Sequence, residues 1–199
     1  MTTDTPRRRA PGMTPERRRA MIVAAALPLV AEHGTAVTTS QVARAAGIGE
    51  ATIFRVFADK EELLDACMAE ALRPDHAVEQ IASIPMDQPL ADRLTEAADA
   101  LGAHLARIGA VAGALMSSGH RRGDATAGRP GDRERSMDLV RAAIAELFEP
   151  EAGALRAGTD QVAAVFLGLL FTGARTGDGP ATADLVQIFL YGALREEPS

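Results

Sequence analysis

The 199-residue chain holds few groups suited to covalent chemistry. Its four histidines, His33, His76, His104 and His120, show no metal-ligand spacing. The single cysteine, Cys67, can form no intrachain disulfide and no thiolate metal site. No glycine-rich phosphate loop precedes a lysine, and "GARTGDG" at 173 to 179 reads as a helix-ending turn. These features point to no catalytic residue, no metal and no cofactor, and so away from an enzyme. The stretch that stands out is "GIGEATIFRVFADK" at 47 to 60, which joins a glycine-framed turn, a short apolar-periodic run and the only lysine in the chain, Lys60.

Charge distribution says what kind of partner such a stretch would suit. Up to residue 60 the chain carries nine basic residues against five acids, whereas the remainder carries twelve arginines against 22 acids, for a formal total of −6. A basic head on an acidic body suits a polyanion at the head alone, although a solvated tail explains Arg7 to Arg9 equally well. A single cysteine fits a reducing, cytoplasmic setting. No uninterrupted apolar run reaches the roughly 18 residues of a membrane span. "AMIVAAALPLVA" at 20 to 31 resembles the apolar block of a signal peptide, but Pro28 and the continuing helical pattern argue against it.

The elements that position these residues read as helices nearly throughout, with no convincing alternating strand. Thr14-Pro15-Glu16 supplies an N-cap, an N1 proline and a first-turn acid, and opens a helix to about Glu32 that stops at His33-Gly34. Pro28 lies inside it and predicts a bend, at a cost of about 3 kcal/mol that packing must offset. Thr38 and Gln41 have capping-box spacing and open a second helix, which Gly47-Ile48-Gly49 breaks. Glu50 begins a third helix through Phe57, and Asp59 caps a fourth to about Arg73, before Pro74. Two short helices joined by a glycine turn and flanked by longer ones make a helix-turn-helix, with Ala43 and Ala46 allowing a close crossing. An ordinary small helical bundle accounts for the pattern as well.

The residues "TTSQVARAAGIGEATIFRVFADKEELL" at 38 to 64 resemble the DNA-binding segment of the tetracycline-repressor (TetR) family of bacterial transcriptional regulators. A Thr-capped helix, an alanine-glycine turn, an aromatic-bearing recognition helix and a K-E-x-L start to the fourth helix follow at the family's spacing. The resemblance extends over about residues 16 to 73. It implies an all-α chain: a flexible basic arm at 1–13, a helix-turn-helix domain at 14–73 with its second and third helices at about 38–57, and a C-terminal ligand-binding and dimerisation bundle at 75–199.

It further implies roles for individual positions. Thr39 and Ser40 match positions that touch the DNA backbone, which hydroxyls and first-turn amides suit, though helix capping accounts for them as well. Glu50, Ala51, Thr52 and Arg55 match positions facing the major groove. Arg55 can take guanine O6 and N7 together, while Glu50 can accept from a cytosine amine or simply favour the helix N-terminus. Lys60 stands where its compact charge can meet one phosphate. Gly49 replaces the usual serine cap, Phe54 replaces a tyrosine and retains only ring contacts, and Val56 replaces a histidine or aromatic. Backbone anchoring is therefore expected to lean on Arg7 to Arg9 and on Arg17, Arg18 and Arg19.

Beyond Pro74 less is specified. "DHAVEQIASIP" reads as a connector or weak helix, 89 to 108 as an amphipathic helix, and "GAVAGALMSSG" as a small-residue segment. Residues 117 to 132 read as a mobile loop, followed by helices at 132–148, 159–175 and 182–194. The last two are apolar on more than one side and must be covered on more than one side, in a monomer core or at an interface. The resemblance implies a four-helix dimer interface, for which Val162, Val165, Leu169, Leu185, Ile188 and Phe189 are candidates. It also implies a cavity for a small-molecule effector, for which Leu101, His104, Leu105, Leu115, Met116, Met137, Phe148 and Phe166 are candidate lining; each could equally be plain core. A ligand-responsive repressor binding a palindromic operator as a homodimer is thus expected, against a helical protein-interaction module without DNA binding.

Overall fold

The computed structural model describes residues 13–119, 131–176 and 180–193, with the side chains at 173–176 and 192–193 outside that description. Arg7 to Arg9 and most of the expected loop at 117 to 132 therefore lie outside the described residues. Among those described, the chain is all-α. Its helices are α1 (Pro15–His33), α2 (Thr39–Ala45), α3 (Glu50–Ile53), α4 (Lys60–Ala71), α5 (Asp75–Ala82), α6 (Leu90–Ser117), α7 (Asp132–Glu146), α8 (Thr159–Thr176) and α9 (Thr182–Ala193). Short 3-10 segments occupy Gly34–Ala36 and Glu149–Ala154.

The chain divides into two compact units. The first, here the head, comprises Met1–Glu70 together with Val111–Arg121, and the second, the body, comprises Ala71–Ala110 and Arg122–Ser199. The head is thus not one continuous stretch, in contrast to the expected 14–73 domain, because the end of α6 belongs to it.

Local signals start and stop the head's helices. The Thr14 side chain accepts from the Arg17 amide, and Pro15 occupies the first turn of α1. The helix continues through Pro28, which is exposed, while Ile22, Val23, Ala26 and Val30 are buried along one side. Full burial of such aliphatic side chains contributes about 1.5–3 kcal/mol each, enough in sum to outweigh one missing backbone bond. The Thr38–Gln41 capping box of α2 is formed in both directions. At the other end of α2, Ile48 N–H donates to the Ala43 carbonyl (3.0 Å) and Gly47 N–H to that of Arg44 (3.2 Å), with Gly47 at φ +67°. This is a Schellman closure, and it needs a residue that tolerates positive φ at position 47.

The body is built on one apolar cluster that includes Ile81, Leu94, Leu101, Ile144, Phe148, Phe166, Val186 and Phe189. Phe148, Phe166 and Phe189 meet with ring centroids 5.0–6.5 Å apart, two pairs tilted and one edge-to-face. Two departures from the sequence reading concern α5 and α6. "DHAVEQIA" is a true helix that buries Ala77 and Ile81 and packs against α7. The small-residue segment simply extends α6 to Ser117, since its Ala, Leu and Met content outweighs Gly109 and Gly113, and a Cβ at either glycine would meet nothing. By length and composition α6 would suffice to cross a membrane, as core helices of globular proteins also do. It carries Arg93, wholly buried and paired with Glu151.

Candidate nucleic-acid interface

The head's exposed edge is built on α2, α3 and the start of α4. On α3 the Ile53 side chain is buried, as is Phe57 just beyond the helix, while Glu50, Ala51, Phe54 (53% exposed) and Arg55 face outward and Thr52 is half-buried. The α-helix proper ends at Ile53, short of the expected Phe57. The chain continues to Phe57 through tighter turns, with Arg55 N–H donating to Thr52 O (3.3 Å), Val56 N–H to Ile53 O (2.9 Å) and Phe57 N–H to Ile53 O (2.8 Å). Gly49 caps α3 without a side-chain bond, as its lack of a hydroxyl requires.

Arg19 differs from the expectation that it helps anchor DNA. Its guanidinium donates to the Val56 carbonyl (3.3 Å) and to Glu62 Oε1 (2.8 Å), and lies 4.3 Å from the centroid of the Phe57 ring. One cation thereby joins α1 to the end of the recognition segment and to the first turn of α4, with ion-pair, hydrogen-bond and cation–π contributions. The signal was present in the register: Arg19 shares a helical stripe with Ile22, Val23 and Ala26. Glu62 is fixed from its other side by the Ala58 amide, 2.7 Å from Oε2. That amide, and next to it Arg19, holds the Glu62 carboxyl below its ordinary range against the opposing effect of burial. Asp59 completes the corner by accepting from the Glu62 amide (2.8 Å).

Three other contacts were not legible in the sequence. Thr39 Oγ1 donates to Glu50 Oε1, joining the first residues of α2 and α3. Lys60 Nζ donates to the Thr35 carbonyl (2.5 Å). The Thr35 amide in turn donates to Ser118 Oγ (2.9 Å), and Thr35 Oγ1 donates to the Ser118 carbonyl (3.1 Å). Arg17 and Ser40 are exposed, and the Arg18 guanidinium donates to the Met13 carbonyl (3.3 Å).

The candidate pocket and interface residues separate differently from the reading of the sequence. Leu101, Phe148 and Phe166 are in the body core, His104 is buried and Leu105 half-buried. Leu115 and Met116 belong to the head instead, and Met116 and Met137 are exposed, because α6 runs further and α7 presents Met137 outward. Of the candidate interface residues, Val162, Leu185 and Phe189 are buried in the body's own core, where they fill the space around the phenylalanine trio. Val165 (65%) and Ile188 (63%) are exposed, Leu169 is half-buried, and Tyr191 (85%) is an exposed aromatic that the apolar periodicity had not singled out.

A short capped helix, a glycine closure and a second short helix with an outward polar edge, seated on a longer helix, define a helix-turn-helix DNA-binding regulator. Residues 22–67 match the bacterial regulatory proteins of the tetR family. The fold of the whole chain is likewise that of solved TetR-type regulators. A TetR-family transcriptional regulator from Mesorhizobium loti superimposes with a TM-score of 0.63 at 18% identity, over 92% of this chain and 100% of that one. A TetR regulator from Streptomyces coelicolor gives 0.54 at 22%, over 90% and 99%. The fatty acid degradation regulator FadR from Bacillus halodurans gives 0.54 at 19%, over 90% and 97%. No match was found among the curated proteins. The head thus carries, over residues 22–67, a segment that matches the tetR family of bacterial regulatory proteins, and the chain as a whole shares the fold of solved TetR-type regulators.

Proposed function

We propose that the protein is a repressor that binds a palindromic operator as a homodimer and leaves it when a small, largely apolar effector occupies the body. The observation that carries this reading is the outward edge of α3: Glu50, Ala51, Phe54 and Arg55 exposed together on a segment whose inner side is anchored by Ile53 and Phe57. Ser40, Arg17, Arg18 and Lys60 flank that edge with a hydroxyl and cations suited to phosphates. One such edge reads few bases, so a second copy supplies the other half-site. Val165, Ile188 and Tyr191, exposed on the last two helices, are the apolar groups a partner copy would cover.

His104 supports a neutral effector. It is buried, its Nδ1 has no hydrogen-bond partner among the described residues, and burial first, then Arg107 and His76, push its pKa below the ordinary imidazole range. A neutral buried ring, one helical turn along α6 from the core residue Leu101, suits a weakly polar ligand better than a charged one. The DNA partner implies a cytoplasmic setting.

The test combines selection of bound duplexes from a random pool with sedimentation of the full chain. Selected sites should be inverted repeats, the protein should sediment as a dimer at micromolar concentration, and Ile188→Asp should shift it to monomer. A monomer that selects single half-sites would reject the dimer. Failure to bind any duplex at low salt would favour a protein-interaction module.

A further inference from the structure

We propose that Glu50 is the residue by which each head selects a cytosine, and that Thr39 is the positioning residue that holds it for that purpose. The inference rests on the DNA-binding reading and adds to it one base preference and its cause. Glu50 is exposed and opens α3, and Thr39 opens α2. Their hydrogen bond, from Thr39 Oγ1 to Glu50 Oε1, is the only side-chain bond between those two helices among the described residues.

A threonine hydroxyl has one proton to donate. While that proton is on Glu50 it cannot be on a phosphate, so Thr39 serves the carboxylate rather than the DNA backbone. The same bond fixes one carboxylate oxygen and leaves Oε2, which has no partner among the described residues, as an oriented acceptor at the reading edge. A carboxylate accepts only, and most of what the major groove offers it is another acceptor: guanine O6 and N7, thymine O4, adenine N7. Adenine's amine is flanked by acceptors on both sides, its own N7 and the O4 of the paired thymine, whereas cytosine N4 has guanine O6 on one side only and its own C5–H edge on the other. Glu50 is therefore rewarded opposite cytosine and repelled elsewhere, so its contribution lies as much in rejecting wrong sequences as in binding the right one. Arg55, exposed on the same edge, has the complementary preference for guanine.

The experiment is binding-site selection from random duplexes with the full-length protein, followed by titration of the selected site and its single-base variants. Wild type should require cytosine at one position of each half-site by about tenfold over other bases. Glu50→Gln, able to pair with adenine N6 and N7, should move the preference at that position to adenine. Glu50→Ala should abolish the preference there and leave the other positions unchanged. Thr39→Val should cut discrimination at that position by about threefold or more while affinity for random duplex holds, because it loosens the carboxylate without removing it. Unfolding midpoints near wild type would show each variant folded, as expected for substitutions on an exposed edge. Identical base preferences for wild type and Glu50→Gln would overturn the proposal. So would a Thr39→Val protein that loses affinity for every duplex equally, since that assigns its hydroxyl to phosphate. A wild-type protein that selects no duplex would overturn the DNA-binding reading itself, a distinct result.

Discussion

The ammonium of Lys60 donates to the carbonyl of Thr35, 2.5 Å away, and so ties the first residue of α4 to the tight turn that follows α1. Thr35 is held on its other sides by Ser118, through its amide and its hydroxyl. An ammonium has three donors, so this bond leaves donors for a phosphate. Lys60→Ala is expected to cost about 1–2 kcal/mol of stability in the absence of DNA, the loss of a charge-assisted bond to a half-exposed group. Thermal denaturation checks this, and an unchanged midpoint would show that the bond contributes nothing net. Binding to operator and to random duplex should fall alike, since the contact positions without reading bases.

Gly34 has φ +55°, and a Cβ there would lie 2.4 Å from the Ala114 carbonyl oxygen and 2.6 Å from Ser118 Oγ. Gly34→Ala should therefore cost about 2–4 kcal/mol, from the unfavourable backbone region together with the clash against main chain. Denaturant unfolding measures it. A loss well under 1 kcal/mol would mean that the end of α6 shifts freely.

Cys67 is buried in α4, and burial, with a smaller effect of Glu70, pushes its thiol up to about 12. The thiolate is the reactive form, so a disulfide reagent at neutral pH should label the native protein only as it unfolds. The sign for stability follows: the folded state keeps the proton after the unfolded state has lost it, so this contribution is intact below about 9 and declines as pH rises toward 12. Fast labelling of the native chain would contradict the burial.

Glu62 has the opposite sign. Its carboxyl is depressed by the Ala58 amide and Arg19, so its contribution is present above the ordinary carboxylate value and fades as pH falls through the folded one. Glu62→Gln should flatten the acid limb of the stability curve relative to wild type, with little change in slope above pH 6. Since Glu62 is 41% exposed, the loss at neutral pH should be modest. An acid limb identical to wild type would exclude Glu62 as its source.

In the body, Arg93 is wholly buried, with its guanidinium on Glu151 at 2.5 Å and on the Met86 carbonyl at 3.2 Å. Its Nε has no partner among the described residues. Glu151→Ala should cost about 3–5 kcal/mol, because it leaves a buried cation uncompensated. Arg93→Met should cost less, since it removes the charge and keeps much of the volume. Equal losses in the two variants would mean that packing dominates over charge.

What could be read from the sequence follows the range over which each feature acts. The Thr14 cap, the Thr38–Gln41 box and the Gly47 closure are set by residues within a few positions of one another, and all three form. Apolar spacing likewise predicts an amphipathic helix at 89 to 108, and its Leu94 and Leu101 lie in the body core. The bonds Thr39–Glu50, Lys60–Thr35 and Thr35–Ser118 join residues 11, 25 and 83 positions apart, where no periodicity links the partners. Arg19, a cation beside other cations, reads as surface, although its register places it with Ile22 and Ala26 and its guanidinium meets Val56 and Glu62. On α8 and α9 the sequence showed apolar groups on several sides without dividing core from surface, since hydrophobicity alone does not say which neighbour covers which side. Hence Val162, Leu185 and Phe189 are internal while Val165, Ile188 and Tyr191 are exposed.

The chain's return to its head at Ser118 bears on how such regulators can be recombined. A graft that exchanged heads by cutting after α4 would leave Thr35 without the hydroxyl that receives its amide, and Gly34 without the helix that explains why it is glycine. Functional chimaeras of this protein would have to carry two separate pieces of sequence together, the first seventy residues and the closing turns of α6. Recombination at the obvious linker should yield poorly folded heads, whereas a transfer that carries the turns of α6 beyond residue 110 together with the first seventy residues should preserve them.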